Sequence, residues 1–119
     1  MLTIRNAQMA AFAESLRNQF ERRMETHLRS RFPERAAAYS SANLTGLVRG
    51  GIKQAAHYGI ELEPDIRRYL ELSLEYGPEF DRDPKLPWAA EILNQDLDGT
   101  EKLQQLDEYE LFLPRKGSA

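Results

Sequence analysis

The fold is decided by the stretch Met9–Phe32, MAAFAESLRNQFERRMETHLRSRF, in which a large apolar side chain recurs at almost every fourth residue. This spacing is the period of an amphipathic helix, and neither glycine nor proline interrupts it. Pro33 disfavours the helical conformation at the residue before it. The sequence therefore predicts one helix over residues 3–32.

The apolar stripe of this helix extends further than a small fold can cover. A helix over these residues is about 45 Å long, whereas a compact chain of this length is about 35 Å across. We therefore expect part of the helix to project and its stripe to contact a second subunit or another protein. The predicted contact residues are the large side chains of the stripe: Phe12, Leu16, Phe20, Met24, Leu28 and Phe32.

Shorter helices follow, each bounded by proline, glycine or a capping residue. They are predicted over residues 34–39, about 43–58, from 63 to the stop at Gly77–Pro78, from 87 to about 94, and from Thr100 onward. No segment alternates with the two-residue period of a strand. The sequence predicts an all-α fold, a small bundle of about five helices with a long N-terminal helix. We expect a single domain over residues 1–119, with a frayed tail at 114–119.

Two adjacent glycines inside a later helix indicate a close contact. Gly50 and Gly51 lie within the second main helix, where each glycine costs about 1 kcal/mol relative to alanine. A close approach of another helix would explain them, and a kink is the competing explanation.

The loop from Phe80 to Trp88 supplies two further candidate partner contacts. They are Phe80 and the only tryptophan, Trp88.

The two halves of the chain carry opposite charge. Residues 1–59 hold nine Lys and Arg against four Glu, whereas residues 60–119 hold seven against fifteen acidic residues. Halves of opposite sign attract one another, either within one molecule or between two. The acidic half is therefore either a packing surface for the basic half or a surface kept for a partner.

Composition excludes several classes of protein. The chain has no cysteine, which rules out disulfides and thiolate chemistry. Its mean hydropathy of -0.62 is typical of a globular protein. No apolar run reaches about 18 residues and the start lacks the apolar segment of a signal peptide, so we expect a cytoplasmic protein without a membrane span.

The sequence contains no recognisable catalytic or metal-binding motif. His27 and His57 are the only histidines, and neither belongs to an H-E-x-x-H pattern. Asp81–Asp83 is similar to the start of a calcium loop, but Pro84 follows it and position twelve is Ile92 rather than glutamate. We expect no enzyme activity, cofactor or small-molecule substrate. A hydrolase using the aspartates at 81 or 83 is the last alternative.

Nucleic-acid binding is an alternative that depends on five arginines of the first helix. Such side chains neutralise phosphates, and the binding that they provide weakens with salt. The pI of about 5.4 is far below the value above 9 that is typical of such domains, so nucleic acid is disfavoured as a partner. The arginines are Arg17, Arg22, Arg23, Arg29 and Arg31.

Three stretches carry a resemblance to a known group of proteins: LVRGGI at 47–52, AHYGI at 56–60 and FDRDPKLPWA at 80–89. They resemble small helical proteins that Gram-negative bacteria encode beside type VI secretion effectors and spike components. The resemblance covers roughly residues 1–95 and includes no catalytic residue. It implies an accessory role in escorting, loading or neutralising a secreted toxin.

Together these observations predict a non-enzymatic, chaperone- or adaptor-like protein. Its partner would be a type VI effector, a spike component or a second copy of the chain in a homodimer. One alternative is an immunity protein that covers the active site of a toxin with its acidic surface. Another is a small nucleic-acid-binding regulator that uses the basic first helix.

Overall fold

The computed structural model describes residues 2–112, with side chains from Ala11 onward except that of Phe12. Within these residues all α-helices and the single 3-10 helix, Phe80–Arg82, are joined by turns without a strand, so the all-α prediction is confirmed. The predicted frayed tail at 114–119 lies outside the described residues. The α-helices are α1 Leu2–Arg31, α2 Pro33–Ala37, α3 Ser41–His57, α4 Glu63–Tyr76, α5 Pro87–Leu93 and α6 Gly99–Leu111.

Backbone contacts group the chain into two compact units, Met1–Arg49 and Gly50–Ala119. The first unit contains α1, α2 and the start of α3, and the second contains the rest of the chain. The first unit contains eight Lys and Arg and four Glu, whereas the second contains eight Lys and Arg and fifteen acidic residues. The predicted division of charge therefore follows the division into units. The single domain stays a prediction.

In the first unit, polar side chains join α1 to α3. The Glu21 carboxylate accepts a hydrogen bond from Arg49 Nε at 2.9 Å, and Glu25 accepts one from the Thr45 hydroxyl at 2.9 Å. Glu21 is buried although it is charged, which its arginine partner makes tolerable. These contacts lie one helical turn apart on each helix, so they set the register of α1 against α3.

In the second unit, α4 is the central helix. Pro64 stands in its first turn, where a missing N–H costs nothing. The helical spacing of its apolar residues predicts one buried face, all of which is buried, and Leu72 is buried in addition. A helix buried beyond one stripe is covered on more than one side. The predicted face consists of Ile66, Tyr69, Leu70, Ser73 and Leu74.

The close helix approach predicted at the paired glycines occurs at one of them. A Cβ on Gly51 would overlap the side chain of Leu70 on α4, whereas nothing lies within 4 Å of a Cβ on Gly50. The Leu70 side chain thus packs closely on Gly51, and a larger residue there would have to displace the end of that side chain. Gly50 is exposed and has no such role.

The turn after α3 lies directly under the start of α6. Gly59 has φ +78°, the left-handed conformation typical of a glycine that follows the end of a helix. A Cβ on Gly99 would lie 2.5 Å from the Gly59 carbonyl oxygen and 2.8 Å from Ile60 Cα. Because both neighbours are backbone atoms, only glycine fits at the first position of α6.

The predicted cap of α6 is wrong. Asp98, not Thr100, precedes the helix and accepts a hydrogen bond from the Glu101 N–H at 2.8 Å. The Thr100 hydroxyl instead donates to the Asp65 carboxylate on α4 at 2.6 Å. Asp and Thr are both common N-cap residues. Here the Thr100 hydroxyl is held by Asp65 of α4, and Asp98 caps the helix.

Replacement of Gly99 by alanine should destabilise the fold. We expect Gly99→Ala to lower the free energy of unfolding by about 1–3 kcal/mol, because backbone atoms must move to admit the methyl group. The control Gly50→Ala should raise it by up to about 1 kcal/mol, as alanine is the better helix former. Urea unfolding followed by Trp88 fluorescence measures both. Equal stability of the two variants would contradict the packing described for Gly99.

Candidate functional site

Most of the predicted contact residues are in the core. Five of them expose less than a tenth of their surface, and this burial lends no support to a role in partner contact. That role stays a prediction. The five are Phe20, Met24, Leu28, Phe80 and Trp88. Leu16 is 49% exposed, Phe32 is half-buried, and the side chain of Phe12 lies outside the described part of the chain.

Large exposed apolar side chains concentrate at the end of α6. Tyr109, Leu111 and Phe112 expose 43%, 81% and 85% of their surface. We call these three residues the α6 end patch. Exposed large apolar groups mark interaction sites in proteins that otherwise bury such groups. Sequence reasoning missed this patch, although the adjacent Leu111 and Phe112 were a signal, since neighbouring residues lie about 100° apart around a helix.

Tyr109 is supported from beneath by two further aromatic rings. It stacks on Trp88 of α5 with ring centroids 5.2 Å apart and planes 16° apart. Trp88 in turn meets the Tyr76 ring of α4 edge-on at 5.7 Å. Three helices therefore hold the base of the patch. Trp88, a predicted contact residue, is buried beneath Tyr109.

A cluster of charges fastens α6 to α4 next to the patch. Arg68 donates from Nε to Asp107 at 2.7 Å, from Nη2 to Glu110 at 2.6 Å and from Nη1 to Glu71 at 3.1 Å. The Tyr76 hydroxyl donates to the other oxygen of Glu110 at 2.9 Å. Burial lowers the pKa of Arg68, but these carboxylates outweigh it and the net pKa is raised. The guanidinium therefore stays charged.

A second polar network lies inside the second unit. Asp81 is buried, and its Oδ2 accepts hydrogen bonds from the Tyr58 hydroxyl at 2.7 Å and from Gln54 Nε2 at 2.9 Å. Arg82 Nε lies 3.7 Å from the same oxygen. Asp81 Oδ1 and the buried Tyr69 hydroxyl have no hydrogen-bond partner. The network joins the 3-10 helix to α3 and leaves no exposed carboxylate for a substrate at Asp81.

The aspartates of the acidic loop brace it in two ways. Asp83 accepts a hydrogen bond from the Lys85 N–H at 2.9 Å, the local backbone contact expected of such a residue. Asp81 instead pairs with side chains on a distant helix, which the sequence did not indicate. The loop also lines an open cleft of about 500 Å³. Its polar members are Tyr76, Glu79, Arg82 and Asp83.

The remaining candidate chemical groups have structural contacts. His57 is exposed and meets the Tyr58 ring edge-on at 5.3 Å. Lys102 is buried, and its Nζ donates to the Tyr58 carbonyl oxygen at 2.9 Å, where a cation suits the end of α3. Among the residues that the structure describes, no three His, Asp or Glu side chains are grouped to hold a metal ion.

Three of the five arginines considered for nucleic-acid binding make contacts within their own unit. Arg29 donates to two backbone carbonyl oxygens, at 3.2 and 3.4 Å. Arg23 and Arg31 lie over the rings of Phe20 and Phe32 at 5.3 and 5.8 Å. All three remain exposed, so these contacts do not decide whether the surface binds phosphate.

No protein-family model matches the chain, and no similar curated protein or solved structure was found. The resemblance to type VI accessory proteins therefore stays a prediction. Across residues 2–112, none of the helices combines the length and apolar character that crossing a membrane requires.

Removal of the Tyr58 hydroxyl should weaken the second unit. Tyr58→Phe leaves the buried Asp81 carboxylate with one donor fewer, so we expect the free energy of unfolding to fall by about 2 kcal/mol. Tyr109→Phe is the control, because that side chain is partly exposed to water, and it should change stability by less than about 0.5 kcal/mol. Urea unfolding compares the two. A loss no larger than that of the control would contradict the network.

Stability should also fall at alkaline pH. Burial raises the pKa of Tyr58, Tyr69 and Tyr76 above its ordinary value near 10, and hydrogen bonds to carboxylates add to the effect at Tyr58 and Tyr76. Below pH 10 both states keep these protons. Above it the unfolded chain loses protons that the folded chain retains, so the free energy of unfolding falls as pH rises through 10 and beyond.

The variant Tyr69→Phe isolates one of these groups, because its hydroxyl has no hydrogen-bond partner to lose. We expect unchanged or slightly higher stability near pH 8 and a shallower decline between about pH 10 and 11.5 than in the unchanged chain. Urea midpoints across this range measure both slopes. Identical slopes would show that Tyr69 does not retain its proton in the folded state.

Proposed function

We propose that this protein is a non-enzymatic binding protein, chaperone- or adaptor-like, that holds another protein on the α6 end patch. The observation that carries the proposal is the exposure of Tyr109, Leu111 and Phe112, of which Tyr109 stacks on the buried Trp88. Large apolar and aromatic groups of this kind supply most of the binding energy at protein interfaces. We further propose that it acts in the cytoplasm on a type VI effector or spike component.

A second exposed stretch supports the adaptor form of this proposal. Residues 13–19 of α1 are all exposed, and Leu16 among them is an apolar side chain half in water. This stretch belongs to the basic first unit, whereas the α6 end patch belongs to the acidic second unit. Two surfaces of different charge suit two different partners.

The acidic second unit also favours a second candidate, an immunity protein. Fifteen acidic residues in this unit, with Asp107 and Glu108 exposed beside the patch, suit a toxin whose active site binds an anionic substrate. Survival of cells that express the toxin separates the two functions. An immunity protein restores growth, whereas an escort protein improves the solubility and secretion of its partner without restoring growth.

Co-expression with the products of the two flanking genes tests binding. We expect one of them to co-purify with the chain, and Leu111→Ala/Phe112→Ala to weaken that complex at least about tenfold, because both anchors are removed. Leu62→Ala is the matched control, since this 61% exposed leucine precedes α4 and lies away from the patch along the chain. Circular dichroism confirms that each variant is folded.

Two results would overturn the proposal. One is that both flanking proteins purify alone and in good yield while the chain also remains alone. The other is a complex that the double alanine variant and the Leu62→Ala control bind equally well, because the α6 end patch then does not form the contact.

A further inference from the structure

The charge around the α6 end patch identifies the chemistry of its partner. Among the described residues of α6 the only cation is Lys102, which is buried and donates to a backbone carbonyl oxygen. The exposed side of the helix therefore presents carboxylates alone as charged groups. Asp107 and Glu108 are both exposed and immediately precede Tyr109.

Among the described residues, the arginine that pairs with this helix, Arg68, compensates its carboxylates only in part. Arg68 is shared between Asp107 and Glu110 of α6, and its Nη1 donates to Glu71 of α4. Three carboxylates share the single charge of this guanidinium, so it adds little attraction for an anionic partner. The surface beside the patch is thus suited to cations and unfavourable to acids.

We infer that the α6 end patch, in the binding role proposed above, takes a basic amphipathic helix of the partner protein. Apolar side chains of that helix would contact Leu111 and Phe112, and flanking Lys or Arg would face Asp107 and Glu108. A helix is favoured over an extended segment because the described unit has no strand to which one could add, and helices pack side by side through interlocking side chains.

Peptide binding tests this inference directly. The probe is a fluorescently labelled 16-residue helical peptide of leucine on one face and lysine on the other, compared with the same peptide carrying glutamate for lysine. We expect the basic peptide to bind with a dissociation constant at least about tenfold below that of the acidic one, and to bind more weakly as salt rises. Trp88, stacked under Tyr109, should report the same event by a change in its emission.

Four variants divide the apolar from the electrostatic contribution. Leu111→Ala/Phe112→Ala should abolish binding of the basic peptide, and Glu108→Lys should weaken it several-fold and reduce its salt dependence. The matched controls Leu62→Ala and Glu61→Lys lie in the exposed loop before α4 and should bind as the unchanged chain does. Equal affinity for both peptides, or equal binding by Glu108→Lys and Glu61→Lys, would overturn the inference.

Sedimentation velocity separates the partner helix from a second copy of the chain. A salt-sensitive dimer that disappears in Leu111→Ala/Phe112→Ala would assign the patch to self-association and overturn the inference. If the flanking-gene product binds through the patch while the basic peptide does not, the inference fails and the proposed function stands. If the peptide binds and no flanking product does, the proposed function fails instead.

Discussion

The guanidinium of Arg68 holds the end of α6 in place. The last turn of a helix leaves carbonyl groups without partners and tends to fray. Here Arg68 binds Asp107 and Glu110, and Tyr76 holds Glu110 from its other oxygen. The last turn is thereby fixed to α4 through two of its own side chains. A patch on this turn keeps a defined shape, which lowers the entropy that a partner must overcome on binding.

The same cluster explains how an exposed apolar surface coexists with a strongly acidic unit. A cation shared between two carboxylates removes part of their repulsion but not their excess of negative charge. The excess stays at the rim, where solvent-exposed charge steers a partner of opposite sign. Lys102 makes no contribution there because it is buried at the end of α3. The apolar groups supply affinity, and the carboxylates supply selectivity.

Local chemistry determined which parts of this molecule could be predicted. Pro33, Gly77 and Pro87 act within one or two residues, so the helix bounds around them follow from the sequence. The buried face of α4 follows from its period. Contacts between distant residues have no such signal: Tyr58 and Asp81 are 23 residues apart, and nothing in either neighbourhood indicates their hydrogen bond. The burial of most predicted contact residues has a related explanation, since a period shows that a stripe needs cover but not whether the chain itself or a partner covers it.

The spacing of apolar residues differs between the buried stripe of α1 and the exposed end of α6. Phe20, Met24 and Leu28 repeat every fourth residue, and a single facing helix can bury such a stripe. Leu111 and Phe112 are adjacent and lie about 100° apart around the helix axis, and the contacts of α6 with α4 and α5 leave both exposed. An apolar run that breaks the period of its own helix is therefore the stronger indication of a partner. The side chains of such a run stay in contact with water unless a second molecule packs against them.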